Sequence, residues 1–528
     1  MGIQIKLYKE PGADPIEREV CEGTVIEDLI NEYRSHMPYR IMTARVDGSD
    51  VPLTYSITKN CSVIFCDIRD NTANRAFQRG VTMLFLKAVH ELYGRGAQAV
   101  IQNAVNRGIY TTIEFVGPGN KDRKITGDDL LLIEKHMWKI ADANIEIRSL
   151  GENVYKIGRY TNTFYGLMPP RTGYLCPFAL EILHDGVLLR FAHPSDPGRL
   201  SVYRRDAKIF TAYEEEQAFL NALHLSYIEE LNKQIENGAA PDIIRIAEYR
   251  HSKRIDEIAE EIIKADKRCV LIAGPSSSGK TTLSNRLIEA ISKKGVPKPL
   301  YLGTDDYFID REFAPRDRKG EFNFEGLDAM DLGLFNRNIE ELLEGKRADL
   351  PRYDFIDGVK KFGERKCKLE KNQIIVVEGI HALNKKMTTG IEDGVKFRVY
   401  ISPLTQLNID DHNRVPSTDV RIIRRMIRDH RTRGHSVANT IRLWPKVRAG
   451  ESVNIFPYNN EADEIFNSTL VYELPVMRNI ILPLLDEIKQ GDAEYGYAEW
   501  IRLFVSMFTP IEKTDTIPPE SILREFIG

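Results

Sequence analysis

The sequence predicts an α/β chain in which a parallel sheet covered by helices is preceded by a small β-grasp unit and by an α+β unit. Three observations lead there. An apolar run, Cys269–Ala273, opens into Gly274-Pro275-Ser276-Ser277-Ser278-Gly279-Lys280-Thr281, the glycine-bracketed pattern of a phosphate loop set between a strand and a helix. Beyond it, buried-type strands alternate with helical stretches, which is how parallel strands are connected. Ahead of it, short strands with turn signals are followed by strongly apolar helical segments.

In chain order, Ile3–Tyr8 alternates as a half-buried strand does and Val25–Tyr33 has helical spacing. Asp47-Gly48 is a hairpin turn between Thr43–Val46 and Val51–Leu53, and Cys61–Cys66 closes a unit spanning 1–67. A second unit, 68–225, begins with a helix containing Met83, and Thr126 with Asp129 caps a helix over Leu130–Ala141. Residues 226–267 read as a helical linker, with charge concentrated in Ile244–Lys267. The third unit, 268–475, has strands at Cys269–Ala273, Pro299–Leu302, Ile374–Val377, Val395–Ile401 and Thr469–Leu474, the near-continuous apolar runs of a sheet buried on both faces. Residues 476–528 read as helical.

A length of 528 residues exceeds one ordinary core, and the usual domain size predicts about three or four units. Hydrophobic residues at 42% and charged residues at 28% describe a globular protein, and the net charge of −4 excludes a surface given over to nucleic acid, so any RNA contact is local. Six scattered cysteines without a Cys-x-x-Cys pair indicate neither a disulfide framework nor a zinc site and predict a reducing compartment. The opening MGIQIKLYKE lacks a signal peptide's apolar core, and no stretch approaches the roughly 18 apolar residues of a membrane span. The expectation is a cytoplasmic chain without membrane contact.

The loop is built for polyphosphate. Its glycines, Gly274 and Gly279, let successive N–H groups turn toward bound oxygens, and the helix starting near Thr281 adds its positive end. Lys280 reaches the β/γ-phosphates and the Thr281 hydroxyl can ligate Mg²⁺. Ser276, Ser277, Ser278 and Thr282 complete the candidate nucleotide contacts. At the next strand end, Gly303-Thr304-Asp305-Asp306-Tyr307-Phe308, Asp305 can take the proton of an attacking hydroxyl or hold Mg²⁺, with Asp306 the competing candidate. Glu378, at the tip of Ile374–Val377, is costly to bury unpaired and is compensated beside a Mg²⁺–nucleotide complex, while Gly379 permits close approach of backbone. Arg421, Arg424, Arg425 and Arg428 share one face of a helix, opposite its apolar residues, and Arg431 and Arg433 extend the run. Such a face offers guanidinium groups to transferring phosphate or, as an alternative, to RNA.

On these residues the span from about 250 to 475 resembles the uridine kinase/phosphoribulokinase family, above all nucleoside kinases of the uridine–cytidine type. The segments GPSSSGKT, TDDYF, FNFEGLDAMD, PRYDF, VVEGI and DVRIIRRMIRDHRTRG occur in the family's order. The resemblance implies a P-loop kinase fold using ATP and Mg²⁺, with Asp305 as catalytic base and Thr281, Asp305 and Glu378 around the metal. It places Glu325 on ribose hydroxyls, Tyr307 and Tyr353 on the substrate side, and Arg425, Arg428 and Arg433 at lid positions that meet phosphate. The chain departs from the family at Gly358, where a histidine commonly reads the pyrimidine, and at His435 and Leu443, positions usually given to Arg and Gln. Losing such partners leaves the base open while phosphoryl transfer is retained. The expected activity is transfer of the γ-phosphate to the 5′-hydroxyl of a nucleoside such as uridine, with a phosphoribulokinase-like or other small-molecule alcohol kinase as the alternative.

The front half carries two further resemblances. RVDGSDVPLTYSITKNCSVIFCDIRD resembles the TGS domain, the small ubiquitin-like module at the front of threonyl-tRNA synthetases and some GTPases. MLFLKAVHELYG is similar to the first helix of the second, editing-type domain of threonyl- and alanyl-tRNA synthetases. That domain's metal site begins with two histidines where this chain has Arg79 and Met83, which implies that its chemistry is absent. An RNA-binding surface remains as an expectation, and with it a second reading of the chain as an RNA-binding regulator switched by nucleotide.

Overall fold

The computed structural model describes every residue except 1, 34, 36, 106, 118–122, 204–205, 317–319 and 321. The first unit is a sheet of β1 (Gly2–Tyr8), β2 (Ile16–Cys21), β3 (Ile41–Val46), β4 (Ser49–Val51) and β5 (Cys61–Asp67), in the order β2-β1-β5-β3-β4, with α1 (Ile26–Tyr33) packed on it. The period-two pattern of β1 sends Ile3, Ile5 and Leu7 into this core, where they meet Ile26, Leu29 and Ile30 of α1.

The second unit opens with α2 (Asn71–Tyr93), whose first turn is capped by the Asp70 side chain. It continues through β6 (Ala97–Val105), β7 (Gly108–Phe115), α3 (Gly127–Asp142), β8 (Ile147–Gly151), β9 (Val154–Ile157), β10 (Tyr160–Thr163), β11 (Phe178–Leu183), β12 (Gly186–His193) and β13 (Asp196–Leu200). One sheet runs β11-β12-β7-β6 with β13 beside β12, and a smaller one runs β10-β9-β8. The Thr126/Asp129 capping box is present at α3. Met83 is fully buried in this unit's core, and Arg79 donates to the Leu167 carbonyl at 2.7 Å.

Three helices, α4 (Ala207–Leu223), α5 (Ile228–Glu236) and α6 (Ala240–Lys264), lead into the third unit. Its elements are β14 (Cys269–Ala273), α7 (Lys280–Lys293), β15 (Leu300–Gly303), α8 (Leu332–Leu343), β16 (Ala348–Asp354), β17 (Val359–Cys367), β18 (Ile375–Glu378), β19 (Lys396–Ser402), β20 (Asn408–Asp410), β21 (Asn413–Arg414), α9 (Ser417–Arg433), α10 (Val437–Asn454) and β22 (Glu464–Asn467), followed by α11 (Glu473–Leu485), α12 (Tyr495–Ser506) and α13 (Arg524–Ile527). The main sheet is wholly parallel in the order β15-β18-β14-β19-β22. Val270 and Ile272 of β14 face one core while Cys269, Leu271 and Ala273 face another, so every position along this strand is buried.

Some expectations give way. Thr469–Leu474 is not a strand: the sheet's edge is Glu464–Asn467, and Glu473 already belongs to α11. An apolar run too short to show a helical period cannot distinguish a buried strand from the start of a buried helix. Helix α4, read with the second unit, packs on both: Phe210 lies against Tyr110 and His184 of the second unit, whereas Lys208 donates to the Ala462 and Asp463 carbonyls at 2.6 and 2.9 Å and Tyr213 joins the core under β14. Beyond α11 the chain is only partly helical, and residues 507–523 run without an α-helix. Among the described residues no helix is long and apolar enough to cross a membrane.

Candidate active site

Sheet order reverses direction about β14, and ligands of open parallel sheets bind in the crevice beyond the strands' carboxyl ends at such a point. Three adjacent strand ends deliver the candidate groups there: β14 runs into the phosphate loop, β15 into Asp305 and β18 ends on Glu378. In the loop, Ser277 (φ 59°) and Gly279 (φ 91°) adopt left-handed conformations that turn neighbouring N–H groups to one side, a backbone nest suited to anions. Gly274 has no room for a side chain, since a Cβ there would lie 2.0 Å from the Ile401 carbonyl oxygen.

The Thr281 hydroxyl donates to Glu378 Oε2 at 3.3 Å, and the Tyr301 hydroxyl donates to the same oxygen at 2.8 Å. Lys280 Nζ donates to the Pro275 carbonyl at 3.1 Å. Asp305 is exposed and Lys280 half-buried, yet protein surrounds both closely enough to shift their titration. Desolvation and the nearby Glu378 charge push the Asp305 carboxyl up to about 6, against the pull of Lys280. Desolvation lowers the Lys280 ammonium while Glu378, Glu525 and Asp305 hold it up. Asp306 is committed elsewhere: it accepts from Arg365 Nη1 at 2.7 Å and from the Tyr353 N–H at 3.3 Å. Gly379 lets β18 approach Thr304, where a Cβ would stand 1.7 Å from the Thr304 hydroxyl.

Helix α9 does not present one free basic face. Arg421 and Arg424 are buried and structural, a correction to the sequence reading. Arg421 pairs with buried Glu451 and donates through Nε to the Ser276 carbonyl at 3.0 Å. Arg424 donates to Glu473 at 2.6 Å, to the Ser468 carbonyl at 2.8 Å and to the Ser277 carbonyl at 3.4 Å. Both clamp the loop's backbone from behind. Arg425 reaches the loop from the cleft side, donating to Ser276 Oγ at 2.7 Å. Asp429 gathers Arg425, Arg428 and Arg433, at 3.2, 2.9 and 3.4 Å.

Of the substrate-side residues, Glu325 is half-buried, its carboxyl raised by desolvation against the attraction of Arg425. Tyr307 is not brought to the cleft: its ring packs edge-on against Phe335 in the core, and its hydroxyl accepts from Asn338 at 3.2 Å. Tyr353 is buried between Phe308 and Phe355, and its hydroxyl has no partner among the described residues. At Gly358 the Arg311 side chain fills the space a Cβ would take, 2.7 Å away. His435 and Leu443 are exposed.

Sequence reasoning missed Glu451, whose Oε1 accepts the Ser276 N–H at 3.0 Å, and Glu525, which accepts from the Thr282 hydroxyl at 2.8 Å. Neither contact with the loop has a local signal, because Ser276 and Thr282 lie far off in the chain. Asp429 was legible, lying four residues from both Arg425 and Arg433.

The donor set fits a nucleotide with a divalent cation. The buried hydroxyls of Ser277 and Ser278 have no partner among the described residues, the Gly274 cradle excludes side chains, and the Thr281, Glu378 and Asp305 oxygens are the hard donors Mg²⁺ takes. Thr281, Asp305 and Glu378 are the residues that would hold the metal.

Residues 269–473 match the model of the Phosphoribulokinase / Uridine kinase family. The chain is 28% identical over 176 residues to a uridine kinase of Staphylococcus aureus (strain JH9), covering 33% of this chain and 75% of that protein. A Bacillus stearothermophilus structure described as a "Possible Uridine Kinase" is 25% identical, covers 28% of this chain and 79% of its own, and has a TM-score of 0.24. A D-glycerate 3-kinase of Cryptococcus neoformans is 12% identical, covers 50% of this chain and 89% of its own, and has a TM-score of 0.23. The family match supports a phosphotransferase acting on a small molecule.

Proposed function

We propose that this chain is a kinase that transfers the γ-phosphate of ATP to a hydroxyl of a ribose-containing small molecule, the 5′-hydroxyl of a nucleoside such as uridine being the leading acceptor. The observation that carries the reading is the meeting of the Thr281 hydroxyl and the Glu378 carboxylate at 3.3 Å, with Asp305 close enough for the Glu378 and Lys280 charges to set its titration. When bound, Mg–ATP supplies the electrophilic phosphoryl group and a cation that offsets its charge. The loop amides and Lys280 hold phosphate oxygens in place. Asp305, ionised at neutral pH and without a committed partner among the described residues, accepts the proton of the acceptor hydroxyl at its carboxylate. Arg425, Arg428 and Arg433, gathered by Asp429, bring positive charge to the cleft and help exclude water. Glu325 accepts from the acceptor's sugar hydroxyls.

A phosphoribulokinase-like acceptor, already bearing phosphate, is the alternative that the lid arginines would also serve. Incubation of the full chain with Mg–ATP and each common nucleoside tests the reading. Turnover without RNA that disappears in Asp305→Ala supports the nucleoside kinase. Turnover confined to sugar phosphates moves the acceptor to the alternative, and ATP consumption only on addition of tRNA replaces both with the RNA-regulator reading of the front half.

A further inference from the structure

The first turn of α7 is where a phosphate loop offers its donors, because the leading N–H groups of a helix lack intrahelical acceptors. One of those positions is already engaged. Glu525 Oε2 accepts from the Thr282 hydroxyl at 2.8 Å and from the Thr282 N–H at 3.4 Å, and its charge reaches Lys280. A carboxylate bound to both donors of one residue at a helix N-terminus makes the contacts a phosphate oxygen makes there.

Glu525 is held in that position by its neighbours. Ile522, Leu523 and Phe526 are fully buried, and Ile522 Cγ2 lies 2.6 Å from where a Gly279 Cβ would stand. Arg431 Nη2 donates to the Glu525 carbonyl at 3.0 Å, and the Arg424 guanidinium lies 5.0 Å from the Phe526 ring centre. Arg424 also donates to Ser277 of the loop, so one helix, α9, fixes both the loop and the segment that reaches over it. The backbone of 521–528 is docked by packing, whereas the Glu525 side chain is half-buried and joined to α7 through polar contacts.

We propose that Glu525 is a built-in competitor of nucleotide phosphate: its carboxylate occupies the Thr282 donors, and nucleotide binds the loop only as that side chain swings away. This rests on the nucleotide-binding reading above. The like charges of a carboxylate and a polyphosphate cannot share the donor pair, so the competition weakens nucleotide binding without blocking it.

Calorimetric titration of the full chain with Mg–ATP tests the proposal. Glu525→Ala is expected to lower the Kd about tenfold, equivalent to about 1.4 kcal/mol, and the shape-conserving Glu525→Gln to lower it by a smaller factor. Thr282→Val supplies the decisive background: it removes the hydroxyl, the shorter of the two contacts, and keeps the N–H, so there Glu525→Ala is expected to change Kd by a clearly smaller factor than in the unaltered chain, the difference being what a double-mutant cycle isolates. Unchanged or weakened ATP binding in both Glu525 variants, with the folded state retained by circular dichroism, overturns the latch, as does an equal effect of Glu525→Ala in the two backgrounds. Lys280→Ala separates the premises: if it leaves ATP affinity intact, the failure belongs to the nucleotide-loop reading and not to Glu525.

Discussion

Two adjacent aspartates show how a residue's partners decide its chemistry. Asp306 is spent on Arg365 and the Tyr353 N–H, while Asp305, with its carboxyl near 6, is ionised at neutral pH yet basic enough to accept a proton. Asp305→Asn is therefore expected to lower kcat by about 10²–10⁴-fold with an unchanged melting temperature. Asp306→Asn is expected instead to loosen the β16–β17 hairpin; steady-state kinetics and thermal melts of the two variants would show the reverse pattern if the assignments were exchanged. A second residue reports on pH. His251 is buried, its Nε2 faces the Thr469 carbonyl at 3.1 Å, its Nδ1 has no partner among the described residues, and desolvation aided by Arg286, Arg250 and Arg424 lowers its pKa from 6.5 to about 3. Below pH 6.5 the unfolded chain takes up a proton that the folded chain refuses, so this site's contribution falls as the pH drops, by about 2 kcal/mol on reaching about pH 5. Denaturant titrations across that window are expected to give a shallower acid loss for His251→Gln than for the unaltered chain; parallel curves would remove His251 from the account.

At the scale of elements, α9 shows what the sequence could and could not reveal. Its spacing of arginines and apolar residues marks a helix, and β14, its loop and α7 stand where the motif puts them, because a strand buried on both faces and a glycine-bracketed turn leave strong local signals. What the spacing could not reveal is which arginines face the cleft. Arg421 and Arg424 find Glu451 and Glu473, 30 and 49 residues away, and long-range pairing of this kind leaves no periodic trace. The same limit hid Glu525, and it let Tyr307 pass for a substrate contact when its ring completes the core beside Phe335. The two kinds of arginine are expected to fail differently. Arg424→Leu strands Glu473 in the interior and costs about 3–5 kcal/mol of stability, whereas Arg425→Ala leaves stability near that of the unaltered chain and lowers kcat/KM. Denaturant melts paired with kinetics would refute this division if both variants lost stability equally.

At the scale of the molecule, the front half is joined to the kinase-like part through α9 more directly than through the charged helix that precedes β14. Arg75 of α2 donates to fully buried Asp419 in the first turn of α9, at 2.8 Å through Nη1, and Tyr497 and Trp500 of α12 donate to the same carboxylate at 3.1 and 2.9 Å. The hairpin of β20 and β21 forms a second join: the Ile101 N–H donates to the Asp411 carbonyl at 2.8 Å, and Asn413 donates to the Thr163 carbonyl at 2.9 Å. A piece spanning 242–528 would lose α4 and α5, whose Tyr213, Leu220 and Leu231 belong to the cores flanking the sheet, so its behaviour would report lost packing and not lost coupling. A single substitution at the join is the cleaner probe. Arg75→Met keeps most of the side chain's volume but, among the described residues, leaves Asp419 with the Tyr497 and Trp500 donors alone, and removing one partner of a buried pair costs about 3–5 kcal/mol. Because Asp419 begins the helix whose Arg421 and Arg424 hold the loop backbone, part of that cost is expected to appear as weaker Mg–ATP binding, several-fold in Kd, beside faster proteolysis between the halves. An Arg75→Met chain that melts earlier yet binds Mg–ATP as the unaltered chain does would make this join a matter of stability alone, with no line of coupling from the front half to the phosphate loop.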